Sequence, residues 1–180
     1  MRPNLVRGLI AALLLGGCGP SSNEPAQPRE PGAGAIGFYC RMGLQEHQGP
    51  KGQILPRGWK DPLWFSSVRD ALTYVEMDLV SEREMSGFWV NDMAQGSWEK
   101  PAPGSWIDAR EAIYVVESRK SSGMGGSEAV PFKDREDAVR FASEHGGRIA
   151  DYAEARRAIA GESPAIPSEN SNESATENRT

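Results

Sequence analysis

Two stretches of the chain match at a constant spacing of 67 residues, Phe65 falling on Phe132, and this repeat constrains the fold more than any other feature. The first copy is Phe65-Ser66-Ser67-Val68-Arg69-Asp70-Ala71-Leu72-Thr73-Tyr74-Val75; the second is Phe132-Lys133-Asp134-Arg135-Glu136-Asp137-Ala138-Val139-Arg140-Phe141-Ala142. Phe65/Phe132, Asp70/Asp137 and Ala71/Ala138 are identical, and Leu72/Val139, Tyr74/Phe141 and Val75/Ala142 keep their character. Ser67 and Asp134 each stand three residues before an aspartate, the arrangement that satisfies orphan amides at a helix start. Ala71, Leu72 and Val75, and again Ala138, Val139 and Ala142, draw one apolar stripe at helical spacing. Each copy predicts a short amphipathic helix.

Strand-like runs flank both helices. Residues 51–55 precede the first and 87–90 follow it; residues 112–116 and 128–131 precede the second and 147–150 follow it. Residues 38–42, aromatics followed by Cys40-Arg41-Met42, also read as a strand. Each half then reads β-β-α-β. The second helix stops at Gly146-Gly147, and a last helix spans 151–160, with Asp151 three residues before Glu154. The predicted fold is α+β, two tandem ββαβ units packed together, the first over 36–100 and the second, with the C-terminal helix, over 101–160. That length suits one compact domain.

The ends read differently. Arg2 and Arg7 precede an apolar run, Leu9 to Leu15, which is far short of the ~20 residues that span a bilayer. With Gly16-Gly17-Cys18 behind it, this is a secretory signal over 1–17. Residues 18–35 are rich in Pro, Ser, Gly and Ala and read as a flexible tether. Residues 161–180, mostly Ser, Asn, Glu and Pro, read as a disordered tail. Removal of the signal costs two of 20 basic residues against 25 acidic ones. No basic stripe stands out, which excludes nucleic acid as a partner.

Loss of Cys18 to a lipid would leave one thiol, Cys40, in an oxidising compartment. Exported domains usually pair their cysteines, so an odd one is a reactive thiol, an intermolecular bond, or a small buried hydrophobe. In a strand Cys40 and Met42 would share a face, about 7 Å apart, and thiolate with thioether selects Cu(I). Met124, flanked by Gly123 and Gly125, is a core residue or a thioether on a flexible arm. His47 follows Met42 closely enough to return to the same site, although a loop histidine is more often plain surface. His145, at a helix end, is best explained by the helix dipole. Two histidines and no nucleophile elbow organise no serine, and the glycine-rich loop lacks the lysine and helix of a phosphate cradle.

These segments resemble the NosL family, copper-binding lipoproteins accessory to nitrous oxide reductase maturation. The resemblance is carried by Leu15-Gly16-Gly17-Cys18, by Phe38 to Met42, and by His47-Gln48-Gly49-Pro50-Lys51-Gly52-Gln53-Ile54. It continues through Ser67 to Ala71, Trp106 to Ala112, Met124 to Phe132, and His145-Gly146-Gly147. It implies lipidation at Cys18 and a periplasmic protein anchored to a membrane, the outer one slightly favoured because Gly19 replaces a retention aspartate. It also implies Cu(I) held by Cys40, Met42 and Met124 with His47 as a further candidate, and a fold related to organomercurial lyase. The partners it implies are the nitrous oxide reductase apoprotein and its ABC-type maturation transporter complex. Many relatives carry a second cysteine where this chain has Gly37, and Pro where it has Gly123. A lyase needs paired cysteines, so a non-enzymatic copper chaperone is the expectation. The alternative is a structural or scaffolding lipoprotein of a maturation complex.

Overall fold

The computed structural model describes residues 25–77, 79–123 and 125–161. The expected signal, the lipidation at Cys18 and the tail beyond Gly161 lie outside the described residues. In chain order the elements are β1 (Gly52–Pro56), β2 (Leu63–Phe65), α1 (Val68–Glu76), β3 (Met85–Asn91), β4 (Trp106–Asp108), β5 (Ile113–Val116), β6 (Val130–Phe132), α2 (Arg135–His145), β7 (Arg148–Ala150) and α3 (Tyr152–Gly161). Single 3-10 turns stand at Leu44–Glu46 and Glu82–Glu84.

Two antiparallel sheets result, ordered β2-β1-β3-β4 and β6-β5-β7. In each, a hairpin leads into a helix, and the strand after the helix returns beside the first hairpin strand. This is the duplicated ββαβ unit. Phe65 and Phe132 close the equivalent strands β2 and β6, and α1 and α2 start at Val68 and Arg135, so the repeat holds in the fold. β4 extends the first sheet by pairing with β3 and has no counterpart in the second.

The strand expected at 38–42 is instead a tight turn. Ile36 bridges Gly43, Gly37 N–H donates to Met42 O at 3.0 Å, and Arg41 N–H donates to Gly37 O at 3.0 Å. Arg41 takes φ 57°, in the left-handed region. The aromatic rings explain the change. Phe38 and Tyr39 both pack on Phe65 and Tyr74, whereas consecutive residues of a strand face opposite ways. Its place is taken by β2, too short at three residues to display alternation. β1 and β2 are joined through a turn in which Trp59 N–H donates to Pro56 O at 3.1 Å and Gly58, at φ 79°, supplies the positive φ of a type II turn.

The caps behave unequally. Ser67 Oγ accepts Asp70 N–H at 3.0 Å, as expected. Asp151 and Glu154 close a reciprocal box at the start of α3, with bonds of 2.8 and 3.0 Å. Asp134, by contrast, makes no side-chain cap bond.

One core joins the units: Ile54, Phe65, Leu72, Phe88 and Val90 of the first meet Tyr114, Val116, Ala155 and Ile159 of the second. α3 lies between α1 and β5 and completes this core. A smaller cluster, Val115, Val130, Phe132 and Ala138, sits beneath α2. Within the stretch assigned to the tether, Arg29 and Glu30 already lie against the first sheet. Arg29 exchanges backbone bonds with the buried Gln53 side chain at 2.9 and 3.0 Å, and Glu30 accepts Trp106 Nε1–H at 3.0 Å.

Candidate metal centre

β2 delivers the chain to Ser67, where α1 begins, and three loops gather around that helix start. They are the turn carrying Cys40, the stretch 47–49, and the connection between β5 and β6. Cys40 is half-buried, with Sγ 3.5 Å from Ser66 Oγ. Gly37 backs onto the sulfur: a Cβ there would stand 2.6 Å from Sγ. Position 37 is thus in direct contact with the thiol, and glycine leaves that space open. Met42 is 44 % exposed on the same turn. Because the segment turns, strand alternation does not set the two sulfurs on one face.

His47 is the best-defined nitrogen here. Its Nδ1 lies 3.2 Å from Gly123 O, and its Nε2 is buried with no hydrogen-bond partner among the described residues. A proton on Nδ1 donated to that carbonyl leaves the Nε2 lone pair free, the tautomer that metal-bound imidazoles use. The approach is close: a Cβ at Gly123 would fall 2.7 Å from His47 Cβ. Met124 itself lies outside the described residues, but its loop is held on both sides. Gly123 meets His47, and Arg69 Nη1 donates to Ser127 O at 3.1 Å. Ser122 Oγ–H closes the loop by donating to Gly125 O at 2.6 Å.

Beneath these loops lie two buried ionisable side chains, Lys51 and Glu128, that the residue pattern did not bring together. The Lys51 ammonium donates to His47 O, Gln48 O and Gly49 O at 2.7, 3.1 and 2.7 Å, folding that segment around itself. Burial draws its pKa down to about 8, opposed by the charge of Glu128. Glu128, fully buried, accepts Arg69 N–H at 2.7 Å and Ala129 N–H at 3.0 Å through Oε1. Burial pushes its carboxyl up to about 8 against those hydrogen bonds. Glu128 thereby caps α1 from the other unit. The only sequence hint was a lysine and a glutamate entering otherwise apolar strand runs.

Asp70, one residue beyond Arg69, is raised by burial and lowered by its bond with Ser67 and by the charges of Arg69 and His47. Tyr39, beside Cys40, is pushed up to about 12 by burial and by the Asp70 and Tyr74 charges. His47, Asp70 and Tyr39 therefore share one electrostatic neighbourhood at the α1 start. His145 is elsewhere, ending α2 with its ring 4.5 Å from that of Phe141. Among the described residues no three His, Cys, Asp or Glu side chains gather as a metal site. The place offers, among the described residues, one thiol, an exposed thioether on the same turn and one imidazole, with Met124 outside them. That is a soft donor set suited to Cu(I).

A family model described as NosL matches residues 28–160. This chain belongs to the NosL family. The match takes in the Cys40 turn, His47, the β5–β6 connection and all three helices. The chain is 39% identical over 158 residues to the copper-binding lipoprotein NosL of Achromobacter cycloclastes, covering 86% of this chain and 81% of that one. It is 35% identical over 164 residues to the copper-binding lipoprotein NosL of Stutzerimonas stutzeri, covering 84% and 80%. Its fold is similar to the crystal structure of the copper chaperone NosL from Shewanella denitrificans, with a TM-score of 0.67 at 27% identity, over 73% of this chain and 96% of that one. No helix among the described residues is long and apolar enough to cross a membrane.

Proposed function

We propose that this chain is a Cu(I) chaperone, anchored through lipid on Cys18 in the periplasm. It supplies copper for assembly of the nitrous oxide reductase copper centres. Copper is its cargo, and no turnover is involved. The observation that carries the reading is His47: a buried Nε2 without a partner among the described residues, on a ring oriented by the backbone of the loop that bears Met124. Cys40, Met42, Met124 and His47 are the proposed ligands. The names of the relatives support copper as the metal.

A carrier must hold its ion and then release it. Cys40, half-buried beside Ser66, supplies the charged donor. Met42, with nearly half its surface in solvent, is a neutral, weaker donor that an incoming thiolate can displace. Ligand exchange then hands the ion on without any redox change. The recipients in this reading are the reductase apoprotein and its ABC-type maturation complex. Gly19 after the lipidated cysteine favours the outer membrane.

The reading is tested in cells that make the reductase. With Cys40→Ser in place of the native chain, the purified reductase should be depleted in copper while the lipoprotein accumulates normally. A fully copper-loaded reductase would overturn the supply role.

A further inference from the structure

The two ends of β1 have different surroundings. At Gly52, β1 pairs with Phe65, next to Ser66 and Cys40. Four residues on, about 13 Å along a strand, it ends at Pro56 and enters the turn toward β2. Trp59 stands in that turn at 59 % exposure, the most exposed large apolar side chain among the described residues. Lys60 flanks it on one side, and on the other Arg57, whose exposed guanidinium also donates to Arg83 O at 3.0 and 3.3 Å. A tight turn with Gly58 at positive φ holds the indole away from the sheet.

The N-terminal segment crosses the sheet at Gln53 and reaches this turn through the Arg29 side chain. Arg29 Nη1 binds Asp61 Oδ1 at 2.9 Å, two residues past Trp59, while the Arg29 backbone is held by Gln53. From Cys18 to Arg29 the chain spans at most about 40 Å at full extension. A lipid on Cys18 therefore holds the domain, and the β1–β2 turn with it, within reach of the bilayer surface. Tryptophan prefers the headgroup level, where its ring is half apolar and its N–H is wet. Arginine and lysine beside it are drawn to anionic headgroups.

We propose that the β1–β2 turn is a membrane-contact element: Trp59 seats in the headgroup layer, with Arg57 and Lys60 on anionic lipid, and the Cys40 end of the sheet is held toward the water. This rests on the lipid anchor at Cys18 proposed above. It adds an orientation that a tether alone would not give, with the copper-carrying end presented to partners rather than to lipid.

The test uses the lipidated mature chain on vesicles of phosphatidylethanolamine and phosphatidylglycerol that contain a lipid with a shallow nitroxide. Flotation with the vesicles reports the anchor; tryptophan emission reports the turn. The wild type should float and lose part of its emission to the nitroxide, and Trp59→Phe should float equally and lose none. Equal quenching of both, or of neither, in chains that float would overturn the membrane contact and leave the anchor standing. The second of those results is also what a protein-docking role for Trp59 would give. Failure of the wild type to float would overturn the anchor and the inference with it.

Discussion

The starts of α1 and α2 are equivalent by the repeat, yet their surroundings differ in kind. At α1 two groups cap the helix: Ser67 Oγ takes Asp70 N–H at 3.0 Å, and Glu128 reaches from the second unit to take Arg69 N–H at 2.7 Å. At α2 the Asp134 side chain bonds no amide, and Asp92 of the first unit takes the N–H of Lys133, the residue before the N-cap, at 3.2 Å. Both units thus send a buried carboxylate across the interface, but only Glu128 reaches an amide of the other's helix. Glu128 also acts electrostatically on buried Lys51, whereas Asp92 shares its oxygens with Ala94 and Gln95 of its own loop. The start of α2 faces solvent at Arg135 and Glu136. The start of α1 lies beneath Cys40, His47 and the loop from the second unit. Duplication supplied a symmetric frame, and chemistry was loaded onto one copy by two additions: the segment ahead of β1, and a β5–β6 connection longer than that between β1 and β2.

If that comparison is right, removing the two carboxylates should have unequal effects. Glu128→Ala strands two amides and leaves a cavity under the loops, a loss of about 3 kcal/mol. It should also weaken Cu(I) binding, because Glu128 fixes the start of α1 beneath Cys40 and His47. Asp92→Ala should cost about 1 kcal/mol and leave Cu(I) affinity unchanged. Chemical denaturation and Cu(I) competition on both variants check this. Equal losses, or a copper effect confined to Asp92, would break the asymmetry.

The pH dependence sharpens it. Burial raises Glu128 from 4.5 to about 8, so over that range the folded state keeps a proton that the unfolded chain has shed. Its contribution to stability is fully present below pH 4.5 and is lost as pH rises toward 8. Lys51, lowered from 10.5 to about 8 by burial, acts oppositely: stability is lost as pH falls from 10.5 to 8. The pair contributes a minimum near pH 8. Subtracting the melting temperatures of Glu128→Gln from those of the native chain should give a curve that falls between pH 5 and 8. A flat difference curve would show that the carboxyl is not buried as a neutral acid.

The smallest contrast is between the caps themselves. Ser67→Ala should cost about 1 kcal/mol, and Asp134→Ala less than about 0.5 kcal/mol, measured by denaturant midpoints at constant slope. Equal costs would mean that Asp134 caps α2 after all.

Much of this frame was legible in the residues. The repeat located both helices, and the Ser67 and Asp151 caps followed from residue type and spacing. Cys40, Met42, His47 and Met124 were chosen by donor chemistry. The strand at 38–42 was misread because aromatic residues next to each other suggest pleating, while here both rings turn to the same partners, Phe65 and Tyr74. β2 and β4, three residues each, are too short for a period-2 signal. Lys51 and Glu128 could not be paired from sequence, since their proximity arises only when the two units dock. The same docking brings Gly123 onto His47. The capping motif at Asp134 was present in the residues, but its side chain makes no cap bond.

The central claim, that the loaded end of α1 is a Cu(I) site anchored by Cys40, is tested most directly by anaerobic competition against a colorimetric Cu(I) chelator. The soluble domain and its Cys40→Ser variant would be compared. The native domain should take up one Cu(I) per chain, and the variant, folded by circular dichroism, should bind at least about a hundredfold more weakly, about 2.7 kcal/mol. Equal affinity in the two proteins would contradict the site, and absence of binding by the native domain would contradict the chaperone itself.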